Sequence, residues 1–207
     1  MGHIMPCERL PFERRAEHIM GMPAVGDRRW TVAEVHALPE EPGKRFEVVD
    51  GELLVSPGPT FAHQRVTAEF YALLRAYFAT WRVADVLDGP AEIEADPHTM
   101  VQPDVFVLPL VGGRRPRDWA EVERALLIIE VLSPSTARHD RVKKRRRYQR
   151  LGSEYWIADP GARLVERWMP GDERPAMFDD RISWQPDGAG EPLSIDLAAL
   201  FAQALDD

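Results

Sequence analysis

A mixed α/β domain, with a central mixed β-sheet flanked by helices, is the fold class that this sequence predicts. Three observations carry it. Strand-like and helical periodicities alternate along the chain in the order hairpin, helix, three or four strands, helix, two strands, which suits one sheet covered by helices. The run Leu126-Leu127-Ile128-Ile129 is apolar enough for a strand buried on both faces. A helical segment from roughly Arg138 to Leu151 then separates that strand from the next one, EYWIADP. At 207 residues the chain is long enough for one domain with extensions and a substantial core.

Each element has a local reason. Residues 1–29 contain Pro, Gly and scattered charge without sustained periodicity, and read as an arm ahead of a single domain over 30–207. Thr31 followed by Glu34 is a capping-box pattern that opens a short helix, TVAEVHALPE, closed by Pro39 and Pro42. RFEVVDGELLVSP predicts a β-hairpin around the turn dipeptide Asp50-Gly51. From Thr60 to Trp81 the apolar spacing becomes helical, with Phe61, Val66, Phe70, Leu73, Leu74 and Tyr77 on one stripe. WRVADVL, AEIEA and VQPDVFVLPL are strand-like, and the loop VGGRRPRD with WAEVER leads into the buried strand ALLIIEVL. The basic helix stops at Gly152. EYWIADP and RLVERWM then pair around a Pro160-Gly161 turn, and a polar stretch precedes a last helix beginning near Asp196.

Composition narrows the function classes. No apolar run approaches the ~18 residues of a membrane span, and the first twenty residues lack the unbroken apolar core of a signal peptide. A lone Cys7 excludes an internal disulfide and a cysteine-based zinc site. Together these point to a cytoplasmic protein without a membrane partner. The net charge of −8 excludes a generally basic nucleic-acid coat. Charge is nevertheless concentrated: Arg141, Lys143, Lys144, Arg145, Arg146, Arg147 and Arg150 fall within one short helix. A local basic patch on an acidic body suits an enzyme that touches a polyanion at one place, and equally a solvated face balanced by acidic neighbours. Of the 26 basic residues only Lys44, Lys143 and Lys144 are lysine.

Two carboxylates stand where a fold of this class would not spend them cheaply. Asp104 follows Pro103 at the start of the apolar strand VFVL, and Glu130 lies near the end of the next long apolar strand. Ionised carboxylates are costly to bury without a partner or a metal. On neighbouring strands the two can converge, and two hard oxygen ligands with open positions suit Mg²⁺ or Mn²⁺. A turn aspartate and a salt-bridged strand end are the plainer alternatives. At 100° per residue, Asp140, Arg141, Lys144, Arg147, Tyr148 and Leu151 share one side of the basic helix. The apolar Tyr148 and Leu151 mark that side as sheet-facing. Lys144 therefore points inward, either as a structural ion-pair partner or as a catalytic cation.

PDVFVL, IIEVLSPST, the D-x-x-x-K-x-x-x-Y pattern of Asp140, Lys144 and Tyr148, and GSEYWIADP resemble, in that order, the bacterial restriction endonuclease family called the Uma type. That family belongs to the PD-(D/E)XK nuclease superfamily. FEVVDGELLVSPGPTFAHQRV resembles its hairpin and helix start, so the likeness runs from about Thr31 to the final helix. It implies a restriction-endonuclease-like core and metal-dependent phosphodiester hydrolysis, with Asp104 as the motif aspartate and Glu130 as the acid of the motif strand. The chain departs from the superfamily at Leu132, where the lysine should stand. In the Uma type the lysine has moved to the following helix, and Lys144 is the matching position. Glu52 and His63 also match family positions. An outward hairpin charge and a helix cap are their alternatives.

The leading expectation is a Mg²⁺- or Mn²⁺-dependent DNA endonuclease. Asp104, Glu130 and the Val131 carbonyl would hold the ion, and Lys144 would act on the attacking water. Arg141, Arg145, Arg146 and Arg147 would engage phosphates. Restriction-type nucleases often work as dimers, so a homodimer is compatible. A nucleic-acid-binding module that keeps the fold without robust cleavage is the alternative. A glycosidase using the two carboxylates comes last, because it leaves the basic helix unexplained.

Overall fold

Thr31 caps the first helix with its side chain on the amide of Glu34, and the Glu34 carboxylate returns to the Thr31 amide at 2.8 Å. This reciprocal cap starts α1 (Val32–His36) as the sequence predicts. The structure is a computed structural model and describes residues 28–206. Of the arm expected over residues 1–29, all but Arg28 and Arg29 lies outside the described residues.

The hairpin follows as β1 (Lys44–Val49) and β2 (Glu52–Pro57), paired antiparallel through Val49 and Glu52. Asp50 and Gly51 both take positive φ, 52° and 86°, the backbone that a tight two-residue hairpin turn needs. The long helix α2 (Phe61–Thr80) comes next, then β3 (Ala84–Asp88), β4 (Ile93–Asp96), β5 (Thr99–Val101) and β6 (Val105–Pro109). After the loop at 110–126 comes β7 (Leu127–Val131), buried at every residue. The basic segment is one continuous helical path of three pieces: α3 (Ala137–His139), a π turn (Asp140–Lys144) and α4 (Arg145–Arg150). Then come β8 (Glu154–Asp159), β9 (Leu164–Trp168), β10 (Ala176–Phe178), β11 (Arg181–Trp184), β12 (Leu193–Asp196) and α5 (Leu197–Leu205), capped by Asp196.

Among the described residues the strands form three sheets. The central one has the order β10-β9-β8-β7-β6-β3 and is mixed: β7 and β8 are parallel and the other pairs antiparallel. A parallel pair needs a crossover, and the α3–π–α4 path supplies it. A smaller antiparallel sheet, β2-β1-β5-β4, and the pair β11-β12 complete the set. One face of the central sheet packs Val105, Val107, Ile129 and Trp156 against Phe70 and Leu74 of α2 and Phe201 of α5. The other packs Phe106, Ile128, Tyr155 and Ile157 against Tyr148 of α4 and Val49 and Leu54 of the hairpin. Burial on both faces explains why the strand at 126–129 reads as an unbroken apolar run. No helix among the described residues is long and apolar enough to cross a membrane.

Three expectations need correction. VQPDVFVLPL is not one strand: the chain leaves the small sheet after Val101 and enters the central sheet at Val105. Pro103 sits in the break, where its missing N–H interrupts no ladder. Phe61 is not part of the buried stripe of α2 but is 80% exposed, because it occupies the first turn, beyond the sheet edge. The polar stretch before the last helix contains β10, β11 and β12, whose short alternations are masked by Asp, Pro and Gly.

Glu154 ties the central sheet to β11. Its buried carboxylate accepts from the indole N–H of Trp156 at 2.7 Å and of Trp184 at 3.1 Å, and faces Arg167 Nε at 2.6 Å. Removing it leaves buried donors without an acceptor, so Glu154→Ala is expected to cost about 3 kcal/mol of unfolding free energy. Denaturant titration measures this, and a loss below about 1 kcal/mol would mean that water replaces the carboxylate.

Candidate active site

The register of β6 against β7 decides where the two sequence-predicted carboxylates meet. Val105 pairs with Ile129 and Phe106 with Ile128, so one further step sets Asp104 opposite Glu130. Side chains alternate across a strand, so both point to the face that carries Phe106 and Ile128, under the crossover helix and the hairpin. Each is 3% exposed. The break at Pro103 places Asp104 at the passage between the two sheets, and three groups fix it there. The Val131 amide donates to Oδ2 at 2.9 Å, Arg45 Nη1 to Oδ1 at 3.3 Å, and His63 Nε2 lies 3.1 Å from Oδ2. Thr60 caps α2 by accepting the His63 amide, which brings this imidazole over the end of the sheet.

Lys144 reaches Glu130 from the π turn. Its Nζ lies 3.0 Å from Glu130 Oε1, 2.9 Å from Glu47 Oε1 and 3.5 Å from Asp140 Oδ1. Tyr148 donates its hydroxyl to the same Glu130 oxygen at 3.1 Å. In the π turn the amide of Arg145 bonds the carbonyl of Asp140, five residues back. This wider turn keeps Asp140, Lys144 and Tyr148 on one inward line, and all three are buried. A cleft of about 190 Å³ opens onto the group, rimmed by the rigid segment 57–60 and the hydroxyl-rich segment 133–136.

Four carboxylates, Glu47, Asp104, Glu130 and Asp140, thus share a buried pocket with the cations Arg45 and Lys144 and the imidazole of His63. Burial raises the Asp104 pKa, but His63, the Val131 amide and Arg45 outweigh it and hold the group below the usual aspartate value. Burial pushes Glu130 well above the glutamate range, and Asp104, Asp140 and Glu47 push the same way against Lys144. Asp140 is raised by burial against the pull of Lys144 and Thr136. Burial would lower Lys144, yet Glu130, Glu47 and Asp140 prevail and keep it an ammonium. Burial and the neighbouring carboxylates thus both favour the neutral forms of Glu130 and Asp140, and a bound positive charge would favour their ionised forms. Asp140 Oδ1 makes no hydrogen bond among the described residues, its nearest cation being the Lys144 ammonium at 3.5 Å.

The sequence-derived candidates divide. Asp104, Glu130, Val131, His63 and Lys144 come together. Glu52 does not: its side chain is 59% exposed and pairs with Lys143 on the outer rim. Most of the arginines expected at phosphates are engaged within the protein. Arg141 bonds Glu166 at 2.6 Å and Asp159 at 3.1 Å. Arg147 bonds Asp96 at 2.6 Å. Arg145 bonds Gln149 at 3.0 Å and lies 4.4 Å over the Trp168 ring. Arg146 is exposed and has no carboxylate partner among the described residues. Sequence reasoning missed Glu47, Arg45 and Asp140. A signal existed for Glu47, which sits opposite Leu54 on the face of the hairpin that also buries Val49. Asp140 was in phase with Lys144 and Tyr148 but had no role.

The model of the family Uma2, described as "Putative restriction endonuclease", matches residues 32–194, a span that contains the whole cleft. The chain belongs to this family. A crystal structure described as a "putative nuclease belonging to DUF820", from Anabaena variabilis ATCC 29413, superposes with a TM-score of 0.68 at 23% identity. The match covers 85% of this chain and 99% of that one. It shows a shared fold, and with the Uma2 match it identifies the core as restriction-endonuclease-like. No curated protein matches.

The pKa of Glu130 gives a signed prediction. Between the ordinary glutamate value of about 4.3 and its raised native value, the folded chain holds a proton that the unfolded chain has released. Stability from this group is therefore full below that window and falls as pH rises through it. Glu130→Gln removes the effect and should melt higher than wild type at alkaline pH, with the gain shrinking toward pH ~4. Thermal melts across pH test this, and a lower melting temperature of the variant at alkaline pH contradicts it.

Proposed function

We propose that this Uma2 chain hydrolyses DNA phosphodiester bonds at the cleft, as an endonuclease dependent on Mg²⁺ or Mn²⁺. The observation that carries the proposal is the cross-strand pair Asp104–Glu130 with the buried Lys144 ammonium 3.0 Å from Glu130. A divalent cation fits this donor set. The donors are hard oxygens, and the buried carboxylates Glu47, Asp104, Glu130 and Asp140 outnumber the fixed cations Arg45 and Lys144. Among the described residues no group of three or more acids, histidines or cysteines already stands as a metal cage. Magnesium commonly makes do with one or two carboxylates, water and substrate oxygens. Asp104, Glu130 and the Val131 carbonyl would hold it. The ion would supply Lewis-acid polarisation of a phosphoryl oxygen and a more acidic water.

The chain's own groups do the rest. His63, Arg45 and the Val131 amide hold Asp104 ionised and oriented. Tyr148 and Lys144 orient Glu130, and the Lys144 ammonium offsets charge that develops at the phosphorus oxygens. Leu132, where the superfamily lysine would stand, is buried among Phe106, Tyr148 and Tyr155. The migrated-lysine assignment for Lys144 rests on its reach to Glu130 from the crossover helix. A second reading, a nucleic-acid-binding module without cleavage, is favoured by one observation: Lys144 is already engaged by three carboxylates.

Single-turnover nicking of plasmid DNA with Mn²⁺ separates the two readings. Wild type should nick, and Asp104→Ala should not. Lys144→Arg keeps the charge but replaces a compact ammonium with a larger planar group, and should lose on the order of 10²-fold in rate with Mn²⁺ affinity retained. Near-wild-type nicking by Lys144→Arg sinks the catalytic assignment of that lysine. Binding without nicking by wild type selects the second reading.

A further inference from the structure

With most arginines of the crossover helix paired internally, a different surface carries cations toward solvent. Strand β3 is the outer edge of the central sheet, and one end of it adjoins the active site: the Gly89 amide just beyond it bonds the Asp104 carbonyl at 2.9 Å. The other end, at Ala84 opposite Pro109, lies about 17 Å away along five strand residues. There α2, β3 and the 110–115 loop enclose a groove of about 740 Å³ whose charged lining is Arg75, Arg82, Arg114, Arg115 and a single carboxylate, Asp85.

Arg75 and Arg82 are exposed and have no carboxylate partner among the described residues. Arg75 lies on α2 and Arg82 follows its end, and both line the groove. Arg75 donates to the Tyr71 hydroxyl at 3.2 Å and stacks 5.7 Å over that ring, which holds the guanidinium out into the groove. On the opposite wall Gly112 and Gly113, both at positive φ, turn the loop so that Arg114 and Arg115 follow on its rim. Arg114 is neutralised by Glu121, while Arg115 reaches Asp85 at 3.1 Å with a side chain still 77% exposed.

We propose that this groove is a second binding site for phosphodiester backbone, gripping the same nucleic acid that enters the cleft. The inference rests on the nuclease reading and adds to it a place where the flanking backbone is held. Arg75 and Arg82 give this groove an excess of positive charge on a chain of net charge −8, since Arg114 and Arg115 are offset by Glu121 and Asp85. Arginine forks suit phosphate oxygens. The groove opens on the α2 face of the sheet and the cleft on the opposite face, so a backbone held in both passes around the β3 edge.

The test is anisotropy of labelled duplex DNA in metal-free buffer across a salt series, for wild type, Arg75→Ala/Arg82→Ala and Arg82→Glu. Melting temperatures confirm folding. The double variant is expected to bind about tenfold more weakly at low salt, with a salt slope shallower by about 2. Single-turnover nicking at saturating protein should be unchanged. Wild-type affinity and slope in both variants overturn the groove assignment. So does sedimentation showing that wild type self-associates and the variants do not, since the groove would then hold an acidic segment of a second copy. If wild type binds no duplex, the groove assignment falls, and nicking with Mn²⁺ decides the nuclease reading separately. If wild type binds, the variants bind weakly and wild type does not nick, the groove stands and only cleavage fails.

Discussion

The ammonium of Lys144, 3% exposed, joins carboxylates from three separate parts of the fold: Glu47 on β1, Glu130 on β7 and Asp140 on the π turn. It fastens the small sheet, the central sheet and the crossover helix at one point. Taking such charges out of water costs several kcal/mol per ion, and pairing returns it only when every partner is well placed. A purely structural solution would fill this space with apolar side chains, as the neighbouring layer of Phe106, Ile128 and Tyr155 does. Instead the fold keeps four acids here, with Glu130 and Asp140 pushed above their ordinary values by burial, and perturbed groups of this kind cluster at functional sites.

The distribution of arginine follows from the same economy. An acidic chain that approaches a polyanion needs its cations where the substrate runs, yet Arg141, Arg147 and Arg150 of the crossover helix are held by Asp50, Asp96, Asp159 and Glu166. Those pairs lock the helix that delivers Lys144 against both sheets. A phosphate-binding role for them would compete with that locking. Exposed cations without a carboxylate partner among the described residues include Arg146 and the groove residues Arg75 and Arg82.

Much of this architecture was legible in the residues. The Thr31–Glu34 cap, the Asp50-Gly51 turn, the doubly buried strand and the helix between parallel strands are local signals, and the structure follows them. The convergence of Asp104 and Glu130 was readable because both stand at apolar strand ends, and the inward phase of Lys144 because Tyr148 shares its side. What was not legible depends on distant partners. Glu47 gains its meaning from a lysine 97 positions on, and Glu52, one turn beyond it, loses its expected place to a surface pair with Lys143. Charge counting could not tell that Arg141 and Arg147 find acids on β9 and β4. The break at Pro103 looked like one strand because apolar residues flank it on both sides, although they belong to different sheets.

Anomalous diffraction from a crystal soaked in Mn²⁺ bears most directly on the central claim, that the excess of carboxylate over cation at this cleft is a divalent-metal site. The account predicts a peak about 2.1 Å from oxygens of both Asp104 and Glu130, with the Lys144 ammonium still alongside. A fully soaked crystal with no peak in the cleft, or with its peak at an exposed cluster such as Glu92 and Glu94, would contradict it.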